Sequence, residues 1–516
     1  MIRTLRNLSR LAVIVRTLGR NGALFTDEIR DVAPGIAWVL RRLNNPRAPG
    51  RPGQRLARAL QELGPSFIKL GQALSTRSDL VGDEIAADLA LLRDRLPPFP
   101  GTAARAIIEQ ELGRPVPALF QAFDDDAVAA ASIAQVHFAV TAEGREVAVK
   151  VLRPGIEVAF RRDIDLMYWL ADWALAVQPR LKRLKPVAVV DTFADTVKLE
   201  MDLRMEGAAA SELAENFRGD DGFNVPAVDW DRTAQRVLTI DRIRGIPVDD
   251  VPGIRASGFD PDDVLRQAAT AFFNQVFRDG FFHADLHPGN LFVNQDGNLA
   301  AVDFGIMGRL DQQTRLYLAD MLVGFLNRDY RLVADVHFDA GYVPEHQNRE
   351  LFMQACRAIG EQVHNKPLHE ISVGRLLAQL FAVTERFEME TQPQLLLLQK
   401  SMLTAEGVGR ALNPSVNMWE LARPLIEDWM RENRGPEARV ANAAGALTRV
   451  VARLPDLLRD LERASATVAD GGLRIHPDSI RELVERRDRH LDRQLRPVWT
   501  VLVLLAAALA VVAAAG

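Results

Sequence analysis

The chain has 516 residues, 48% hydrophobic and 25% charged, which suits two to four domains and excludes wholesale disorder or a collagen-like fibre. Its one cysteine, Cys356, excludes a disulfide framework and any multi-cysteine zinc or iron–sulfur site, and 7% aromatic residues among abundant Leu, Ala and Val favour helix over an all-β sandwich. The net charge of −5 is uneven: residues 1–60 hold twelve Arg, no Lys and three acids, a basic block without interleaved aromatics, so lipid is expected to face it and nucleic acid is not.

At the N-terminus, Arg3, Arg6, Arg10, Arg16 and Arg20 alternate with Leu5, Leu8, Leu11 and Leu18. That pattern suits an amphipathic helix lying on a membrane, or else a helix with one solvated face. The apolar run Leu11–Val15 is too short for a signal peptide. Asn44–Gly53 reads as a Pro/Gly-rich linker, with helices expected at 54–75 and 80–94. Leu96–Gly101 interrupts them, and a further helix is expected at 102–112. Gln135–Val140 and Arg145–Leu152 alternate as strands around Thr141–Gly144, a hairpin. A long helix is expected over 187–216, ending at Gly219-Asp220-Asp221-Gly222, then a strand at Gln235–Ile240 and a helix over 261–280. Leu291–Val293 and Leu299–Val302 flank a second hairpin turn at 294–298, and mostly helices follow from 311 to about 470. A small β-containing lobe followed by a helical lobe is an α+β arrangement.

After Arg496 no charge appears. Pro497–Gly516 is long enough, as a helix of about 30 Å, to span a hydrocarbon core. Trp499 stands where an interfacial aromatic belongs, and Arg481, Arg486, Arg487, Arg489, Arg493 and Arg496 place the body on the cytoplasmic side. The expectation is a single C-terminal tail anchor; a buried Ala-rich helix is the alternative.

The strongest chemical signal is His283-Ala284-Asp285-Leu286-His287-Pro288-Gly289-Asn290, followed after a hairpin by Asp303-Phe304-Gly305. The five-residue interval from Asp285 to Asn290 matches a kinase catalytic loop, whose Asp orients the nucleophile and whose Asn holds metal. The Asp of the later D-F-G holds Mg2+, and oxygen donors from Asn and Asp suit that ion. A zinc pair at His283 and His287 and plain turn chemistry are the competing readings. In Val147-Ala148-Val149-Lys150, alternation puts the three valines 147, 149 and 151 on one face and Lys150 on the other, where it meets phosphates and a helix glutamate. The place of a Gly-rich phosphate loop is held by Ala129-Ala130-Ala131-Ser132-Ile133-Ala134, which cannot adopt positive φ as cheaply. Gly407-Val408-Gly409 lacks the third glycine and a preceding strand, so it is no dinucleotide fingerprint. Lys69 in PSFIKLGQ reads, by itself, as a decoration of its helix; Asp202 and Glu206 stand one helical turn apart, and Glu200 points elsewhere.

Lys69-Leu70-Gly71-Gln72, the Ala-rich loop, Val147–Lys150, Glu200-Met201-Asp202, His283–Asn290 and Asp303–Gly305 occur in the order seen in the UbiB/ADCK family. Over roughly residues 54–415 the chain resembles these atypical protein-kinase-like proteins linked to ubiquinone biosynthesis. The resemblance implies an ATP/ADP- and Mg2+-binding kinase-like ATPase with a bilobal fold, an N-terminal helical extension and a C-terminal transmembrane helix. It implies Asp285 as catalytic aspartate, Asn290 and Asp303 as metal ligands, and Glu206 as partner of Lys150. Lys69 would approach the nucleotide and the Glu200/Asp202 pair, Ala129, Ala130, Ala131 and Ser132 would lie over the phosphates, and the strand with Leu238 and Ile240 would hold adenine. No A-P-E follows Asp303–Gly305, and Ala284 stands where many kinases have Arg, so no peptide-docking activation segment is expected. One C-terminal span departs from the two closely spaced spans of many bacterial members, and Gly207-Ala208-Ala209-Ala210 stands where an Asn is common.

The expected domains are a basic N-terminal region (1–53), a helical extension with the K-x-G-Q segment (54–115), a kinase-like N-lobe (116–240), a helical C-lobe (241–430), C-terminal helices (431–496) and the tail anchor (497–516). The expected partners are a membrane lipid or polyprenylphenol intermediate, ubiquinone-biosynthesis proteins and a second copy of the chain, at the cell inner membrane. A polyprenylphenol monooxygenase and a nucleotide-binding scaffold without turnover are the rival functions; the sequence holds no flavin fingerprint or di-iron pattern. An ordinary protein kinase is disfavoured by the K-x-G-Q segment.

Overall fold

The computed structural model describes residues 2–24, 34–75, 81–90, 96–177, 186–363, 392–415 and 418–434, with positions 92, 379, 382–384 and 386–389. The N-terminal helices are α1 (Ile2–Arg20), α2 (Pro34–Leu43), α3 (Pro52–Leu63), α4 (Pro65–Ser75), α5 (Asp83–Ala90) and α6 (Gly101–Leu112). The helix expected over 54–75 is two, because Gly64 adopts φ +102°, a conformation L side chains rarely take, and Pro65 opens the next helix.

Strands β1 (Phe120–Phe123), β2 (Ala129–Ala130), β3 (Ala134–Thr141) and β4 (Glu146–Leu152) precede α7 (Ile156–Val177), α8 (Pro186–Glu200) and α9 (Leu203–Asn216). The single helix expected over 187–216 breaks at Met201-Asp202. Asp202 leaves helical geometry and accepts from the Arg204 N–H, capping α9. Helix α7 lies in a stretch for which the sequence reading names no element. Leu166 and Leu170 face the N-terminal helices while Ile156 and Phe160 face the sheet, so two buried faces blur the one-sided stripe.

Leu11, Ile14, Val15 and Leu18 of α1 are buried with Leu60, Leu63, Phe67, Ile68 and Leu89, and with Leu166 and Leu170 of α7. This corrects the membrane-surface reading of α1: its apolar stripe is already covered by the protein's own helices. Three of its arginines are engaged too, Arg10 with Asp163 at 2.8 Å, Arg6 with Asp165 at 2.6 Å and Arg20 with Glu62 at 2.5 Å.

The remaining elements are β5 (Phe223–Asn224), β6 (Val237–Asp241), β7 (Gly245–Pro247), α10 (Pro261–Phe273), β8 (Phe281–His283), β9 (Leu291–Asn294), β10 (Leu299–Ala301), β11 (Met307–Arg309), α11 (Gln312–Leu326), α12 (Tyr330–Asp339), α13 (Arg349–Val363), α14 (Pro393–Leu412) and α15 (Met418–Arg434). The helix expected over 261–280 is α10 continued by a π-helical turn, Asn274–Asp279, which Gly280 ends in left-handed geometry.

A five-stranded antiparallel sheet runs β1-β3-β4-β6, with β2 also on β3. Val147, Val149 and Val151 are fully buried against Ile107 and Ile108 of α6, so Lys150 faces the other way, as alternation requires. Below lie a sheet in the order β5-β10-β9-β7 and a β8–β11 pair. Their core joins Phe281, Phe282, Ala284, Leu286 and Phe304 to Leu398, Val408 and Leu412 of α14. Residues 435–516, which carry the expected last helices and the Pro497–Gly516 span, lie outside the described residues. Among those described, no helix is long and apolar enough to cross a membrane.

Candidate active site

The site lies where four segments meet: β4, the start of α9, the loop after β8 and the loop after β10. Lys150 projects from β4 and donates from Nζ to both carboxylate oxygens of Glu206, at 2.8 and 2.9 Å, and to Asp303 Oδ1 at 2.9 Å. Glu206 is 8% exposed and Asp303 49%, so one carboxylate is sealed inside and the other faces an opening. Burial pushes the Glu206 carboxyl up to about 7, against the pull of Lys150, and the Asp303 charge adds to the rise. Burial alone would depress the Lys150 ammonium, but Asp303 and Glu206 outweigh it and raise it above its ordinary value. Burial opposes ionisation of Asp303 too, yet the charge and hydrogen bond of Lys150, with help from His283 and Lys69, hold it well below the carboxylate range. Asp303 sits at φ +63°, a conformation uncommon outside glycine and stored here by its neighbours.

The loop carrying Asp285 is built from inside. His283, fully buried, accepts the Asp285 backbone N–H at Nδ1 (3.0 Å), and its backbone N–H donates to Gln275 Oε1 (2.9 Å) on the π-helical turn. Burial lowers the His283 imidazole below its usual value. His287 accepts the Gly289 N–H, so each histidine of the zinc alternative spends a ring nitrogen on a turn. Asn290, nearly buried, donates from Nδ2 to the Asp285 carbonyl at 3.1 Å, which fixes the two residues relative to each other.

Lys69, on α4, pairs with Glu200 at 2.8 Å, both side chains mostly buried. Its charge is felt at Asp303, so it is more than a helix decoration. Asp202 does not share this contact: it caps α9 and pairs with Arg204 at 2.6 Å. Ala129 and Ala130 pair with Val136 and Gln135, and the Ala131 carbonyl accepts from Arg153 at 3.0 and 2.8 Å. Ala129 is exposed and Ala130 and Ala131 half-buried, whereas Ser132 is fully buried. Leu238 lies opposite Lys150 in register but is 1% exposed beneath Gly207, so Ile240, half-buried, presents the surface on β6.

Two residues escaped the sequence reading. Gln275 supports His283 from a π turn that no local pattern marks. Lys400 of α14 places Nζ 2.8 Å from Asp285 Oδ1. Its only sequence signal is a charge two positions after the apolar run Leu395–Leu398, past Gln399.

Asp303 presents its carboxylate beside the Lys150 ammonium, and Asn290, backed onto the Asp285 carbonyl through Nδ2, carries an amide oxygen. That donor set fits Mg2+ with a polyphosphate, since this ion takes few protein oxygens and completes its shell with phosphate and water. Among the described residues no three His, Cys, Asp or Glu side chains gather into an all-protein metal cage. Residues 91–337 match the ABC1 atypical kinase-like domain, and residues 356–417 the UbiB helical domain. The "Probable protein kinase UbiB" of Marinobacter nauticus is 42% identical over 462 residues, 89% of this chain and 84% of that protein. The chain belongs to the UbiB family. The like-named protein of Aeromonas salmonicida is 46% identical over 391 residues, covering 75% of this chain and 72% of its own. A solved complex of Rv3197 with erythromycin, from Mycobacterium tuberculosis, aligns at 25% identity and TM-score 0.48, covering 71% of this chain and 93% of that one. The UbiB helical segment follows the kinase-like segment in sequence and reaches back to the Asp285 loop through α14.

Proposed function

We propose that this UbiB-family protein is a Mg2+-dependent, kinase-like ATPase supporting ubiquinone biosynthesis, with turnover coupled to handling a lipid intermediate or a biosynthetic complex. The observation that carries this reading is the clasp of Lys150 by Glu206 and Asp303 beside the Asp285–Asn290 loop. In such a site Lys150 faces phosphate oxygens, Asn290 and Asp303 hold the metal, and Asp285 orients the attacking oxygen. Bound Mg2+ supplies charge neutralisation for the leaving phosphate. Lys69 with Glu200 closes one side, and Ala129–Ala131 cover the phosphates where a glycine loop would give more room.

The Arg-rich segment 481–496 and the apolar segment 497–516 support a tail anchor with the catalytic body in the cytoplasm, at the inner membrane. The name UbiB carried by the relatives supports the ubiquinone connection; the partners this reading calls for are a membrane lipid or polyprenylphenol intermediate, other biosynthetic proteins and a second copy of the chain.

The test is Mg2+-dependent ADP and ATP binding and phosphate release by the full chain in lipid, wild type beside Asp303→Asn. Metal-dependent binding in the wild type, with loss of metal dependence and turnover in the variant, supports the reading. Undiminished hydrolysis in Asp303→Asn refutes it.

A further inference from the structure

Asp285 is held by a cation from outside the kinase-like segment. Its loop, His283–Asn290, contains no Lys or Arg, and the ammonium at 2.8 Å belongs to Lys400. Lys400 lies in the segment that matches the UbiB helical domain, more than a hundred residues later in the chain. We propose that Lys400 is a positioning residue for Asp285, and that α14 exists in part to deliver this cation to the catalytic loop. The inference deepens the ATPase reading and rests on it.

Three observations support the assignment. The delivery is rigid: Leu398, Val408 and Leu412 of α14 are buried in the core that holds Ala284, Leu286 and Phe304. Next to Lys400, fully buried Ser401 donates to the Leu397 carbonyl at 2.9 Å and reaches the His283 carbonyl at 3.5 Å, so the helix is seated on the strand that launches the loop. The pair is also open: the Lys400 side chain is 39% exposed and that of Asp285 30%. An ion pair this exposed adds little to stability, so the fold itself gives weak reason for the charge. Third, the site becomes symmetric. Lys150 holds Asp303 on one side and Lys400 holds Asp285 on the other, each leaving its carboxylate half open.

The chemistry gives such a cation work. In hydrolysis the water oxygen bonds to the γ-phosphorus, and the bond to the β–γ bridging oxygen breaks. ADP leaves with that electron pair, and the water proton passes to Asp285 and on to solvent. A carboxylate that must aim a nucleophile at a triphosphate is repelled by it. A fixed ammonium beside it keeps its orientation and offsets that repulsion.

The experiment measures Mg-ATP turnover by the full chain for wild type, Lys400→Ala, Lys400→Arg, Asp285→Asn, the Lys400→Ala/Asp285→Asn double variant, and Asp303→Asn as control. Lys400→Ala should lower kcat about 10- to 100-fold with KM changed less than about threefold, and Lys400→Arg should recover most of the loss. In the Asp285→Asn background Lys400→Ala should cost less than about twofold more, because both act through one carboxylate. Wild-type kcat in Lys400→Ala, no gain from Arg, or full additivity in the double variant would overturn the inference. If Asp303→Asn is dead while Lys400→Ala turns over normally, only this inference falls. If Asp303→Asn turns over like the wild type, the ATPase reading falls and takes this inference with it.

Discussion

Replacing Lys150 with Met tests the site most directly, because it separates the energetic role of the clasp from its chemical one. The substitution keeps the stem and removes the ammonium that meets Glu206 at 2.8 and 2.9 Å and Asp303 at 2.9 Å. Breaking a buried pair by removing one partner typically costs about 3–5 kcal/mol, since the other charge stays behind. Glu206, sealed beneath the site, must then take a proton. In the wild type Glu206 already titrates at about 7, so the added cost of holding it protonated in the variant appears only above that pH and grows by about 1.36 kcal/mol per unit. The sign follows from the raised folded value: the deficit is largest at high pH and its protonation part shrinks away as pH falls through about 7, where the wild type takes the proton as well. In a unit of this size, about 4 kcal/mol corresponds to a drop of roughly 8–16 °C in thermal midpoint. Glu206→Gln added to Lys150→Met removes the stranded carboxyl and should restore most of that midpoint. Turnover should stay about 100- to 1,000-fold down in both variants, because the phosphate-facing cation is still missing. Thermal unfolding at pH 6.0 and 7.5 beside phosphate release tests this. A double variant as unstable as the single one, or a deficit that ignores pH, would refute the reasoning.

Further outcomes follow from other contacts. Gly308 faces Phe282 in register across β8–β11, and a Cβ there would land inside the fully buried Phe282 ring. Gly308→Ala should therefore destabilise by at least about 1–3 kcal/mol, read as a lower thermal midpoint, and should impair turnover because β8 leads into the Asp285 loop. His337 is kept neutral by burial, which lowers its value below 6.5, and its Nδ1 lies 2.7 Å from the Val333 carbonyl. A lowered folded value means stability present above 6.5 and lost as pH falls through the folded value, so the wild-type midpoint should fall on acidification. His337→Gln should start lower at pH 7.5 and lose less between pH 7 and 5. Arg153→Ala removes both donors on the Ala131 carbonyl, so Mg-ADP affinity by calorimetry should weaken about fivefold through a looser phosphate loop.

Several parts of the site were legible because they depend on period and turn chemistry. Two-residue alternation is enough to put Lys150 opposite Val147, Val149 and Val151, and β4 holds them so. The Asp285–Asn290 interval is short enough for one loop to fix, and Asn290 does bond the Asp285 backbone. Helix ends were less legible. A Gly64 in positive φ and a capping Asp202 each cut a continuous pattern into two helices, and α7 hid its period by burying two faces.

Sequence by itself thus determined the kinase-like order of motifs, the direction Lys150 points within its strand and the residues able to hold Mg2+. Only the tertiary structure decided who meets whom. Lys69 finds Glu200 and not Asp202, Glu206 is the acid that reaches Lys150, which spacing left open and the family resemblance implied, and Asp285 takes its cation from Lys400. The stripe on α1 likewise gave an apolar face without its partner, which proved to be α7 and neighbouring helices rather than lipid. The physical reason is common to all four. Local period orients a side chain relative to its own element, whereas a contact across a long stretch of chain is set by how whole elements pack, which no spacing encodes.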